Sequence, residues 1–146
     1  MKLRDIVKNL EILECTAPLD TEISGVSYDS RVTRPGDLFV AIKGFEADGH
    51  KFIPKAVERG AAAVLCEDAP TDGTPYVRVA DCRLGLAYAS RELFGNPAKR
   101  MTLIGITGTS GKTTSSYLIK HMLEAKLGAK VGLIGTNGNM IGDELI

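Results

Sequence analysis

Apolar positions follow two rhythms along this chain. Leu3, Ile6, Val7 and Leu10 stand at i, i+3, i+4 and i+7, one face of a short helix. Pro18 closes that region. Residues 23–28 read as a strand, with Ile23, Val26 and Tyr28 set against Ser24 and Ser27. Leu38-Phe39-Val40-Ala41-Ile42 is an unbroken apolar run, as in a strand covered on both faces. Phe52, Ile53, Ala56 and Val57 return to helical spacing, with Pro54 in the first turn and Gly60 at the end. Residues 61–65 and 76–79 predict two more strands, separated by a loop of Pro, Asp, Thr and Gly. Asp81 is placed to cap a helix carrying Leu84, Ala87, Tyr88, Leu93 and Phe94, which Gly95-Asn96-Pro97 stops.

The pattern then restarts. Ala98-Lys99-Arg100 is short and polar, and it marks a boundary between domains at 1–98 and 99–146. Leu103 to Ile106 predicts a buried strand. Residues 112–127 predict a helix carrying Tyr117, Leu118, His121, Met122 and Ala125, with Gly128 just past its end, and 131–134 predict another strand. Strand, loop, helix and strand in that order make a right-handed parallel βαβ unit. The expected class is α/β: a small mixed-sheet N-terminal domain, then the opening of a parallel phosphate-loop domain. One strand, one helix and one strand cannot cover both faces of a parallel sheet, so a piece of a longer protein is expected.

The turn between that strand and that helix carries the chemistry. Thr107-Gly108-Thr109-Ser110-Gly111-Lys112-Thr113-Thr114 sets glycines, hydroxyls and one lysine at a helix N-terminus. Gly108 and Gly111 let backbone N–H groups point inward, and the helix dipole favours an anion there. Lys112 can reach terminal phosphates, and Thr113 offers a hydroxyl to Mg²⁺. The common phosphate loop, G-x-x-x-x-G-K-[ST], fails by one position, because Ile106 stands where its first glycine belongs. The bland alternative is a helix start with helpful glycines and no ligand.

Composition narrows the rest. The 146 residues carry zero formal net charge, and 44% are hydrophobic. That suffices for one large core or two small ones and argues against a broad nucleic-acid or anionic-membrane surface. No apolar run approaches the roughly 20 residues of a bilayer span, and the N-terminus lacks a signal-peptide core. Cys15, Cys66 and Cys82 are odd in number and far apart, which predicts reduced thiols in a cytoplasmic protein and no cysteine-bound metal.

The T-G-T-S-G-K-T-T segment resembles the ATP loop of the Mur ligases, G-T-x-G-K-[ST]. Val26-Ser27-Tyr28-Asp29-Ser30-Arg31, Arg34-Pro35-Gly36-Asp37-Leu38-Phe39-Val40-Ala41, Gly44 and Asp48-Gly49-His50-Lys51-Phe52-Ile53 resemble the N-terminal signature of two members. Those two add the third peptide residue and the D-Ala-D-Ala dipeptide. Val131-Gly132-Leu133-Ile134-Gly135-Thr136 with Ile141-Gly142-Asp143-Glu144 is more similar to the third-residue enzyme. The resemblance spans essentially the whole chain. It implies an ATP-dependent ligase of peptidoglycan precursor synthesis. Such an enzyme phosphorylates the D-Glu carboxylate of UDP-MurNAc-L-Ala-D-Glu, and the amine of meso-diaminopimelate or L-lysine then attacks the acyl phosphate. By position, the resemblance puts Gly108, Thr109, Ser110, Gly111, Lys112, Thr113 and Thr114 on ATP, with Lys112 catalytic and Thr113 on Mg²⁺. It puts Tyr28, Ser30, Phe45, Glu46 and Ala47 on the UDP portion. A cytoplasmic monomer is expected, inactive as this piece alone, since the family's carbamylated lysine and further Mg²⁺ ligands lie beyond Ile146.

Alternatives stay open at this point. The chain can be the dipeptide-adding ligase, a relative of folylpolyglutamate synthase, a phosphate-loop kinase or GTPase, or a nucleotide-binding module without chemistry. Ser30 either caps its turn or bonds a pyrophosphate or ribose oxygen. Arg31 pairs with Asp29 or grips a phosphate. His50 reads as a loop-fixing hydrogen-bonder rather than an acid or base, and Asn137 and Asn139 as turn residues, with an approach of Asn137 to the nucleotide as the alternative.

Overall fold

The structure, a computed structural model, describes residues 1–44 and 47–146. The chain divides into two compact units, Met1–Met101 and Thr102–Ile146.

In the first unit five strands form one sheet: β1 (Ile12–Cys15), β2 (Gly25–Ser27), β3 (Asp37–Val40), β4 (Ala63–Cys66) and β5 (Tyr76–Val79), ordered β1-β5-β4-β3-β2. β2 through β5 are mutually parallel, and β1 runs antiparallel to β5. Side chains alternate between faces. Leu38, Val40, Ala63, Leu65, Val77 and Val79 join one core with α1 (Leu3–Val7) and α3 (Cys82–Leu93). Phe39, Ala41, Val64, Cys66 and Tyr76 join a second core with α2 (Ile53–Glu58). Helices on both faces explain the near-continuous apolar runs of β3 and β4. Burial also pushes the thiols of Cys66 and Cys82 up to about 12.

β1 has no counterpart among the sequence expectations. All four of its residues are exposed, so it carries no alternation to detect. It exists through pairing with β5 and through Arg78 Nε donating to Glu14 Oε2 at 3.1 Å. The cap expected at Asp81 is present: its carboxylate accepts from the N–H groups of Arg83 and Leu84 at 2.8 and 3.0 Å.

The second unit holds α4 (Lys112–Leu127) and a three-stranded antiparallel sheet of β6 (Gly132–Gly135), β7 (Gly138–Ile141) and β8 (Glu144–Leu145). α4 has the expected bounds, and the Gly128 N–H closes it on the Glu124 carbonyl at 3.0 Å. Two sequence expectations fail here. Residues 102–107 form no strand, and Leu103 and Ile104 are 70% and 55% exposed rather than buried. β6 therefore has no parallel partner and closes instead a hairpin through Thr136-Asn137 onto Gly138. A two-residue turn costs little chain entropy, whereas a parallel partner must be brought in across a crossover. Asn137 lies in that turn, while Asn139 lies in β7 opposite Ile134. Of the apolar residues expected on α4, Leu118 and Met122 are more than half exposed, and the buried position is Lys120, whose amine meets Glu124 Oε2 at 2.7 Å.

The cap yields a test. Asp81→Ala removes the acceptor of two N–H groups and is expected to cost about 1 kcal/mol, while Asp81→Asn retains most of it. Urea unfolding of the chain measures both. Equal stability of Asp81→Ala and wild type would contradict the capping role.

Candidate functional site

The loops leaving the carboxyl ends of the parallel strands converge on an open cleft of about 570 Å³. Open α/β sheets place ligands at that end. The loop after β2 brings Tyr28 to Arg31, the segment after β3 brings Ile42, Gly44, Ala47 and Gly49, and α2 and α3 bring Lys55 and Arg83.

The first loop is tightly built. Asp29 Oδ1 accepts the Arg31 backbone N–H at 2.9 Å, the turn chemistry its sequence predicted. The Arg31 guanidinium grips the same carboxylate, with Nη2 donating to Oδ2 at 2.7 Å. That side-chain pairing, reinforced by the backbone bond, pulls the Asp29 carboxyl down to about 2. The Asp29 carbonyl accepts from Thr33 Oγ1, which in turn meets Ser27 Oγ at 3.0 Å. Of the two roles open for Arg31, the structure shows the pair with Asp29.

Ser30 stands apart. It is only 5% exposed, it lines the cleft, and its hydroxyl makes no hydrogen bond to any described residue. Although the residue is largely enclosed, its hydroxyl oxygen stays in reach of water, and it can exchange that water for a ligand entering the cleft. The described charged residues lining the cleft are Arg31, Lys55 and Arg83 against Asp29, three cations to one carboxylate. An anion suits that balance.

Tyr28, Ser30 and Ala47 line this one cleft. Phe45 and Glu46 lie outside the described residues. Lys55 and Arg83 were not singled out from sequence. Each sits in the first turn of its helix, and no sequence pattern marks that both helices begin at the rim.

Asp48, His50 and Asp68 bring ligand-type atoms within 4.8 Å of one another. Yet His50 Nδ1 lies 2.6 Å from Asp48 Oδ1, and Nε2 accepts the N–H groups of Glu67 and Asp68 at 3.0 and 3.2 Å. Both ring nitrogens are engaged, so neither has a lone pair to give a cation. This is the loop-fixing role expected of His50.

In the second unit, Gly108 to Gly111 form the turn into α4, and Lys112, Thr113 and Thr114 open the helix. Gly108 and Gly111 take φ of 148° and 74°, values that L side chains adopt rarely. The Lys112 amine is folded onto its own loop, 2.5 Å from the Gly108 carbonyl. Thr113 Oγ1 lies 3.5 Å from Thr136 Oγ1.

Residues 22–95 match the description "Mur ligase family, catalytic domain", and residues 106–145 match "Mur ligase middle domain". This chain belongs to the Mur ligase family. It is 47% identical over 99% of its length to a UDP-N-acetylmuramyl-tripeptide synthetase of Roseiflexus sp. (strain RS-1), covering 29% of that protein. It is 45% identical over its full length to a UDP-N-acetylmuramoyl-L-alanyl-D-glutamate–2,6-diaminopimelate ligase of Chlorobium phaeobacteroides, covering 30% of it. A solved structure of a ligase with that second name superposes with a TM-score of 0.75 at 27% identity, over 99% of this chain and 29% of that one. The MurF ligase of Thermotoga maritima in complex with ADP matches with a TM-score of 0.62 at 34% identity, over 82% of this chain and 26% of that one. The chain therefore spans about three tenths of the Mur ligases it matches. Among its described residues no helix is long and apolar enough to cross a membrane.

The Asp29 carboxyl offers a direct check. Its depressed titration means that the Asp29–Arg31 pairing is fully present above the ordinary carboxylate range near 4 and is lost as pH falls through about 2. Carbon NMR of the Asp29 side chain is expected to show a midpoint near 2 that climbs towards 4 in Arg31→Ala. An unchanged midpoint in the variant would contradict the pairing.

Proposed function

We propose that this chain is the substrate-cradling and ATP-loop portion of a ligase that adds a diamino acid to UDP-N-acetylmuramoyl-L-alanyl-D-glutamate. The carrying observation is the Ser30 hydroxyl, unpaired with any described residue and open to water, in a cation-lined cleft at the carboxyl end of the sheet. A diphosphate is the anion that this combination suits. Ser30 donates to a phosphate or ribose oxygen, Lys55 and Arg83 offset the charge, and Tyr28 and Ala47 flank the nucleoside, with Phe45 and Glu46 assigned there by position in the family signature. The functional division follows the sequence boundary, with 1–98 binding the nucleotide sugar and 99–146 opening the ATP domain. The names of the relatives favour 2,6-diaminopimelate as the amino acid added.

The chemistry that such an enzyme performs is acyl activation. An oxygen of the D-Glu side-chain carboxylate attacks the terminal phosphorus of ATP, and ADP leaves. The amine nitrogen then attacks the acyl carbon, phosphate leaves, and the nitrogen sheds a proton. The protein positions the reactants and neutralises charge. The amine of Lys112 exchanges the Gly108 carbonyl for the terminal phosphates, and the N–H groups of the 108–114 turn face the same oxygens. The Thr113 hydroxyl, a hard oxygen ligand beside that of Thr136, is the group here that would hold Mg²⁺. Bound there, the ion would neutralise phosphate charge.

Calorimetry on the 146-residue chain tests the assignment. Ser30→Ala is expected to weaken UDP-N-acetylmuramoyl-L-alanyl-D-glutamate about tenfold and leave ATP unaffected, the loss of one hydrogen bond to a charged group. Lys112→Ala is expected to do the reverse. Undiminished UDP-ligand affinity in Ser30→Ala would overturn the cleft assignment, and undiminished ATP affinity in Lys112→Ala would overturn the loop assignment.

A further inference from the structure

We infer that His50 is a positioning residue for the nucleotide cleft: its Nε2, as an acceptor of two backbone N–H groups, holds the part of the cleft wall formed by Ala47 and Gly49 to the end of strand β4. The inference rests on the cleft reading above and goes beyond it to how the wall is kept in place.

After β3, Lys43 and Gly44 lie beside Ala47, Asp48 and Gly49. Lys43 and Asp48 form an isolated antiparallel bridge, the Gly44 N–H donates to the Ala47 carbonyl at 2.9 Å, and the Gly49 N–H donates to the Ile42 carbonyl at 2.9 Å. Gly49 is pressed so closely on Ile42 that a Cβ would sit 2.6 Å from its carbonyl oxygen. These bonds close the chain back on the residues that follow β3.

His50 supplies the outside anchor. Asp48 Oδ1 accepts the His50 backbone N–H at 3.0 Å and lies 2.6 Å from Nδ1, which orients the ring. Nε2 then accepts from the Glu67 and Asp68 N–H groups, immediately past the end of β4. An acceptor at Nε2 requires the proton on Nδ1, which is the position facing Asp48. Glu67 carries the connection further, since its Oε1 accepts the Cys82 N–H at 3.1 Å in the first turn of α3. Lys43 adds a second tie, with Nζ 2.8 Å from Asp68 Oδ2 and its carbonyl accepting from Arg83 Nη2 at 3.2 Å. The imidazole, together with the Glu67 carboxylate and Lys43, therefore joins the elements that deliver Ala47, Gly49 and Arg83 to the cleft.

Two substitutions split the imidazole into its halves. His50→Gln can put an amide oxygen where Nε2 stands but gives up the Nδ1 position. His50→Asn can donate to Asp48 but falls short of Glu67 and Asp68. Isothermal titration of the 146-residue chain with UDP, at a temperature where circular dichroism shows the variants folded, distinguishes them. His50→Gln is expected to bind within about threefold of wild type and His50→Asn to lose about tenfold or more. Hydrogen exchange of the Glu67 and Asp68 amides should quicken in His50→Asn alone. Equal affinity for wild type and His50→Asn, or equal loss in both variants, overturns the inference. Where His50→Asn does not fold, His50→Gln decides, and a loss beyond threefold overturns it. If wild type itself does not bind UDP, the cleft reading fails first and the positioning role falls with it, an outcome distinct from either pattern among the variants.

Discussion

Strands β3 and β4 are covered on both faces, and that constraint orders everything around them. Phe39 and Val64 must face α2 while Leu38, Val40 and Leu65 face α1 and α3, so a one-residue slip would exchange the two cores. The fixed register brings four parallel strands to a common carboxyl edge. The loops that leave this edge have no choice but to meet. Tyr28 to Arg31, Ala47, Gly49 and Arg83 are far apart in sequence and share one cleft for that reason.

The cleft itself separates rigid parts from presented parts. Asp29 and Arg31 neutralise each other, and Ser27, Thr33 and the Asp29 carbonyl hold the turn from beneath. Ser30, between them in sequence, is largely enclosed, yet its hydroxyl is uncommitted and in reach of water. A turn that spends its polar groups on its own geometry, save one, is suited to recognition rather than to folding alone. The second unit uses a different device. Positive φ at Gly108 and Gly111 bends the backbone ahead of α4, and Lys112 waits on a carbonyl of its own loop.

Legibility in the sequence followed the range of the interactions. β5 and α4 were readable to the residue because their signals are local: a bounded apolar run for one, a Lys-Thr opening and a terminal glycine for the other. The Asp29-Ser30-Arg31 turn was readable because an aspartate bonds its own backbone two residues on. β1 was not readable, because an exposed edge strand such as Ile12–Cys15 takes its form from β5, some sixty residues away in sequence (roughly the span that separates Glu14 from Arg78). The expected strand at 103–106 failed for the converse reason. Its apolar character is real, but a parallel strand needs a neighbour, and the hairpin through Thr136-Asn137 supplies a cheaper antiparallel partner to β6. The fixing role of His50 could be read, yet its partners Glu67 and Asp68 could not, since they reach it only through the parallel register of β3 and β4.

The central claim is that one chain carries two separate nucleotide sites, a diphosphate cleft in the first unit and an ATP loop in the second. Amide chemical-shift mapping of the isotope-labelled 146-residue chain tests it most directly. UDP should shift the amides of residues 28–31, 47–50, 55 and 83 and leave 107–114 in place, and ATP with Mg²⁺ should shift 107–114 and leave the cleft in place. UDP shifts confined to the 107–114 turn, or ATP shifts confined to the cleft, would contradict the account.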